Sequence, residues 1–147
     1  MIQLSSNCDA DRDCEGDFMH IEYLEGLLLA SLTVTYGGQT KQIERMAIDT
    51  GAAHTIIASD AVGDIGIFLQ TGDHINRSYG IGGADYAFEK TVDSLEFGGF
   101  LMRRKPLDFG HIDWDINGLI GLDILLSGRF VIDLDAREIY QNGMESE

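Results

Sequence analysis

The stretch that most constrains this chain is "AIDTGAAHTII", Ala47 to Ile57. An apolar, β-prone run leads straight into Asp-Thr-Gly, and a second apolar run follows. The pattern predicts two strands joined by a tight loop that carries a carboxylate. Taken alone, Asp49–Ala52 would serve as an ordinary strand-to-turn junction. Carboxylate acid–base chemistry generally works with a pair. The sequence holds no second Asp-Thr-Gly and no Asp-Ser-Gly, so a partner for Asp49 has to be sought elsewhere.

The remaining sequence sets the frame. A chain of 147 residues with 44% hydrophobic content predicts one domain with a real core. Eighteen glycines against one proline suit many turns. A formal charge of −15 argues against binding to nucleic acid phosphates. Cys8 and Cys14 are too few for a disulfide framework and read as free thiols. No basic segment followed by an apolar core opens the sequence, and "LLLASLTV" is too short to span a bilayer. The expectation is a cytoplasmic protein that works neither at a membrane nor on nucleic acid.

Residues 1–18 differ from the rest, being acidic and poor in apolar side chains, and are expected to form a solvated extension. The domain is expected over 19–147. From Leu27 onward the pattern is one of short strands. "LLLASLTVTY", a turn at "GGQT" and "KQIERMAID" predict a hairpin. "HTIIAS", "IFLQTG" and "HINRSY" read as further strands. "SDAVGDIG" reads as one or two helical turns capped by Ser59 or Asp60. A long hairpin is expected over "YAFEKTVDSLEF" and "FLMRRKPLDFG", and a last one over "RFVIDL" and "REIY". "LIGLDILLS" reads as one short helix entered through a glycine. Sustained helical periodicity and internal repeats are both missing.

Three glycine-marked motifs follow in order: "DTGA" at 49–52, "GIGG" at 80–83 and "GLIGLDIL" at 118–125. Singly, they are a junction, a hairpin tip and a buried segment entering a helix. As an ordered triplet over roughly Leu27 to Tyr140 they resemble the retropepsin-like aspartic proteases, closest to the cellular and bacterial branch. "LDFG" at 107–110 resembles a kinase motif, but its companion motifs are missing. The resemblance implies a mostly β fold, a small closed barrel with one short C-terminal helix. It also implies a symmetric homodimer, in which the second Asp49 comes from a second copy through an isologous contact.

The implied mechanism needs no cofactor and no metal. Two carboxylates within hydrogen-bond reach share one proton. The ionised one draws a proton from a water between them, and the protonated one polarises the substrate carbonyl. By the resemblance, Asp49, Thr50 and Gly51 are catalytic, with Thr50 bonding across the two-fold axis. Ala52, Ala53 and His54, the flap residues Gly80, Ile81, Gly82 and Gly83, and Leu119 and Ile120 would border a peptide or protein substrate lying as an added strand. Gly121 would let the loop pack on the turn before the helix. Pepsin-like relatives often have Ser where this chain has Ala52. Lacking that hydroxyl donor, activity is expected nearer neutral pH.

The sequence also departs from the retroviral pattern. Acidic residues after Asp-Thr-Gly-Ala and an arginine after the last glycine are replaced by Ala53, His54 and Leu122. Loss of both partners together leaves no orphaned charge, and it moves the expected dimer contact toward the terminal hairpin, Phe130 to Tyr140. Trp114 is expected to pack in the core. "DRDCEGDFMHIE", Asp11 to Glu22, matches a calcium-loop pattern, but its flanks lack the helices such a loop needs. The competing functional reading is a retropepsin-like module that binds peptides or dimerises without cleaving them.

Overall fold

The hairpins are set by their turns. In the computed structural model, which describes residues 18–77 and 86–143, β1 (Phe18–His20) and β2 (Glu22–Leu24) lead into β3 (Leu27–Tyr36) and β4 (Gln39–Ile48). Gly37 and Gly38 join β3 to β4 with φ of 58° and 83°. That pair of left-handed residues matches the twist of the strands it joins. Gly98 and Gly99, at 57° and 83°, do the same between β7 (Tyr86–Phe97) and β8 (Phe100–Gly110). Both long hairpins fall where the sequence places them.

Between them lie β5 (Ile56–Ala58), two 3-10 turns at Ser59–Ala61 and Gly63–Ile65, and β6 (Ile75–Arg77). The chain then closes with β9 (Gly118–Ile120), α1 (Leu122–Leu125), β10 (Phe130–Asp133) and β11 (Glu138–Gln141). Strand order in the large sheet is β2-β3-β4-β9-β5-β8-β7-β6, and β3 also pairs with β7. That extra pairing, Thr33–Thr35 against Ser94–Glu96, closes the sheet into a ring running β3, β4, β9, β5, β8, β7 and back. The fold is the mostly β, barrel-like architecture expected, with one short helix near its C-terminal end.

Alternation along the strands builds the core. Leu32 and Val34 on β3, Ile43 and Met46 on β4, Val92, Leu95 and Phe97 on β7, and Leu107 and Phe109 on β8 are all buried. Ile120 and Ile124 join them. A smaller cluster of Leu29, Ala47, Ile56, Ala87, Ile116 and Leu119 forms a second core.

Several expectations are corrected. "IFLQTG" is not a strand. Gln70 and Asp73 are bound by the buried Lys90 side chain (Nζ to Gln70 Oε1 2.8 Å, to Asp73 Oδ1 3.1 Å), so side-chain bonds hold the segment where a ladder was expected. Ala58 precedes the first 3-10 turn and no side chain caps it, so neither Ser59 nor Asp60 is an N-cap. Trp114 is 42% exposed, on the loop between β8 and β9, and is not a core residue. In the terminal sheet, ordered β1-β11-β10, β11 is paired on both sides. Of the terminal hairpin, only β10 leaves a strand edge open among the described residues. Of the calcium-like segment, Asp11–Asp17 lie outside the described residues. Phe18–His20 and Glu22 are in strands, so no exiting helix follows.

Candidate active site

β4 and β9 run parallel, with Met46 opposite Gly118, Ala47 opposite Leu119 and Ile48 opposite Ile120. β9 in turn pairs antiparallel with β5. The Asp49 loop therefore leaves one neighbour of β9 and returns as the other. The Asp49 amide continues the parallel ladder by donating to the Ile120 carbonyl (2.9 Å). Beyond it the chain turns, and the Ala52 amide donates to the Asp49 carbonyl (3.1 Å).

Asp49 is half-buried, while Thr50, Gly51, Ala53 and His54 are exposed. The Gly51 amide donates to Asp49 Oδ1 at 2.9 Å. A Cβ on Gly51 would stand 3.3 Å from that same oxygen, so the glycine keeps the carboxylate's approach open. The loop thus presents a carboxylate edge, with its side-chain angle set by its own backbone.

The loop rests on the start of α1. The Leu122 amide donates to the Ala52 carbonyl (2.8 Å) and the Asp123 amide to the Ala53 carbonyl (3.2 Å). This needs a close approach that only glycine at 121 permits. A Cβ there would lie 2.7 Å from the Ala52 oxygen and 2.8 Å from the His54 oxygen. A Cβ on Gly118 would collide with the Ile56 carbonyl oxygen, so β9 is pinned against β5 by its first residue too.

The predicted substrate-binding residues divide. Ala52, Ala53 and His54 lie together on the loop beside Asp49. Leu119 is 8% exposed and Ile120 fully buried. In the single chain these two brace the loop from beneath and offer little surface to a peptide. Gly80, Ile81, Gly82 and Gly83 fall outside the described residues. They lie between β6 and β7, whose register ends at Arg77 opposite Tyr86.

Sequence reading missed a polar network behind the loop. Thr55, 1% exposed, donates from Oγ1 to Asp123 Oδ1 (2.7 Å) and from its amide to Oδ2 (3.1 Å). Thr55 Oγ1 also accepts from the Gly121 amide (3.0 Å). Lys105 on β8 pairs with Asp123 Oδ2 at 3.1 Å. The Asp in "GLDIL" was a visible signal, since an acidic residue in the first helical turn invites an amide partner. Lys105 gave none, because its position beside Asp123 depends on β5 pairing with both β8 and β9.

A cavity of about 420 Å³ opens next to this network, lined by His54, Thr55, Asn76, Glu89, Lys105, Asp108 and others. Glu89 and Asp108 stand directly opposite each other on β7 and β8. Asn76 Nδ2 donates to Asp108 Oδ1 (2.9 Å). Burial pushes the Asp108 carboxyl above the usual range, the Asn76 bond opposes this, and the charge of Glu89 adds to it. Arg45, in an extra residue of β4 with φ 60°, holds the loop before β9. Its Nη2 and Nε donate to the Asp115 carbonyl at 2.6 and 3.2 Å.

Among the described residues, no cluster of three or more His, Cys, Asp or Glu side chains is arranged to hold a metal ion. Nor is any helix among them long and apolar enough to cross a membrane.

The comparisons agree with this geometry. A family profile described as aspartyl protease matches residues 32–124, the span from β3 to α1 that carries the loop and its support. The chain therefore belongs to the aspartyl protease family, and its structural neighbours are retropepsin-like. A retropepsin-like aspartic protease from Rickettsia conorii superposes with a TM-score of 0.61 at 20% identity, covering 86% of this chain and 92% of that one. The retroviral protease-like domain of Ddi1 from Leishmania major gives 0.53 at 13% identity, over 80% and 90%. At such identities the likeness is one of fold. No curated protein sequence matches the chain.

Proposed function

We propose that this protein is an aspartic endopeptidase whose dyad is formed by Asp49 from each of two identical chains. One observation carries the reading. Asp49 sits on a loop held by backbone bonds to β9 and α1, with its carboxylate oriented by Gly51 and half open to solvent. A binding module has no use for such a preset carboxylate. Hydrolysis requires it, because the group must meet a water and a substrate carbonyl without reorganising.

In this reading one Asp49 takes a proton from the lytic water and the other, protonated, polarises the scissile carbonyl. Water adds directly, so no covalent enzyme intermediate forms. Thr50 lies exposed on the loop and is free to meet its copy across the axis. Ala52, Ala53 and His54 border the substrate strand, and Gly80–Gly83 cover it. Leu119 and Ile120 form its floor.

The test is cleavage of a complex peptide mixture by purified protein, followed by mass spectrometry from acidic to neutral pH, with Asp49→Asn in parallel. New termini that vanish in the variant support the reading. Equal silence from both proteins, with a dimer demonstrated in the same solution, refutes it in favour of a non-cleaving module.

A further inference from the structure

We propose that Lys105, on a strand far from Asp49 in sequence, is a positioning residue for the Asp49 loop: its ammonium neutralises Asp123, and Asp123 in turn holds Thr55 and the loop's outgoing limb. As a statement about catalysis it rests on the protease reading. As a statement about loop order it stands alone.

The geometry is a chain of bonds that starts from one ion pair. Asp123 takes four donors: Thr55 Oγ1 at 2.7 Å and the Ile124 amide at 2.9 Å on Oδ1, and the Thr55 amide at 3.1 Å and Lys105 Nζ at 3.1 Å on Oδ2. Three of these are neutral dipoles. Lys105 alone brings a charge. Both side chains are only 14% exposed, so water screens the pair weakly and removal of one partner leaves a poorly solvated charge.

The surroundings raise the importance of that charge. Glu89 and Asp108 line the same cavity as Asp123, with exposed His54 at its mouth. The carboxylates sense one another, since Glu89 and Asp123 both act to raise the Asp108 carboxyl. Without Lys105, three carboxylates would share that space with no fixed cation. Asp123 would be driven away from the others, and Thr55 is bound to it twice. Thr55 Oγ1 carries the displacement to the Gly121 amide, and Gly121 packs directly on the carbonyls of Ala52 and His54. The loop's exit is thus tied to the charge on β8.

Amide hydrogen exchange by NMR on the full chain, without ligand, tests this. Lys105→Met keeps most of the apolar stem and removes the charge. It is expected to speed exchange at the bonded amides of Ala52, Thr55, Gly121 and Leu122 by about tenfold or more, with Val92, Leu95 and Leu107 little changed. Lys105→Met with Asp123→Asn removes both charges and keeps an oxygen for Thr55 Oγ1, though not for the Thr55 amide, and is expected to restore most of the protection at Ala52, Gly121 and Leu122. Lys105→Arg keeps the charge and is expected to behave as wild type.

An unchanged loop in Lys105→Met, or acceleration spread equally over loop and β7–β8, overturns the proposal. If Lys105→Met does not fold, the double variant and Lys105→Arg decide. A loosened loop in either overturns the proposal, and protected loops in both support it. Cleavage separates the two levels of the claim. A wild-type protein that cleaves, with a loop indifferent to Lys105, refutes the positioning role and leaves the protease. A loop that loosens in a protein that is a demonstrated dimer and never cleaves refutes the protease and leaves the clamp.

Discussion

Gly121 lies so close to Ala52 that a side chain of any size at 121 would press on the Ala52 carbonyl oxygen, at 2.7 Å for Cβ alone. The obstructing atoms are backbone, so no rotamer change relieves them. Gly121→Ala is expected to cost about 1–3 kcal/mol of stability and to displace the Asp49 loop. Gly51→Ala offers the contrast, since its Cβ would meet only the end of the Asp49 side chain, at 3.3 Å. That variant is expected to melt within a few degrees of wild type yet to lose most cleavage. Thermal unfolding and peptide cleavage on both variants check the pair. Equal melting of the two would refute the backbone argument.

Much of this was legible in the sequence, for local reasons. Gly-Gly turns, alternating apolar residues and the Asp-Thr-Gly loop are written in neighbouring residues. β9 was not read, because "GLI" is three buried residues whose strand character comes from having β4 and β5 on either side. β1 was not read because it pairs with β11 at the other end of the chain. In the site, Asp49 and its glycine were evident. Thr55, Asp123 and Lys105 were missed because their meeting depends on β5 lying between β9 and β8. Leu119 and Ile120 were read as substrate contacts from motif position, and in the single chain they are 8% and 0% exposed.

Glu89 and Asp108 face each other across β7 and β8, a like-charge pair that disfavours the folded state when both are ionised. The Asp108 carboxyl is raised by burial and, less strongly, by Glu89, against the Asn76 bond. Its sign is therefore destabilising. As pH rises from 3.8 to the higher folded value, the unfolded chain releases its proton first, and stability falls. Asp108→Asn removes this loss and keeps an oxygen for Asn76. It is expected to be more stable than wild type at neutral pH, with the advantage vanishing below about pH 3.8. Urea midpoints at neutral and strongly acidic pH check this, and a variant less stable at neutral pH would contradict it.

The two-chain dyad makes a prediction about mixtures. Under the proposed function, a hybrid of wild-type and Asp49→Asn chains holds one carboxylate and no dyad. When the two proteins are mixed at constant total concentration and allowed to exchange, activity is expected to fall as the square of the wild-type fraction. A linear fall would mean that each chain works alone, and would sink the shared site.

Lys90 is the buried cation of β7, 8% exposed, and it holds Asp73 Oδ2 at 2.9 Å together with Gln70. These bonds stand in for a strand ladder in the segment before β6, where Phe68 and Leu69 are left 57% and 59% exposed. The Lys90 bond holds the Asp73 carboxyl below its usual range, with the Gln70 amide helping. A lowered carboxyl stabilises the fold above its unfolded value of 3.8, and that contribution is lost as pH falls through the folded value. Lys90→Met should therefore lower the melting temperature at neutral pH and flatten its decline in acid. It should also free the segment locally, since little apolar burial holds it. Brief chymotrypsin treatment is expected to cut the variant first at Phe68 or Leu69, at protease levels that leave wild type whole. Cleavage beginning in β7 or β8 would show that Lys90 supports the whole ring and not this one segment.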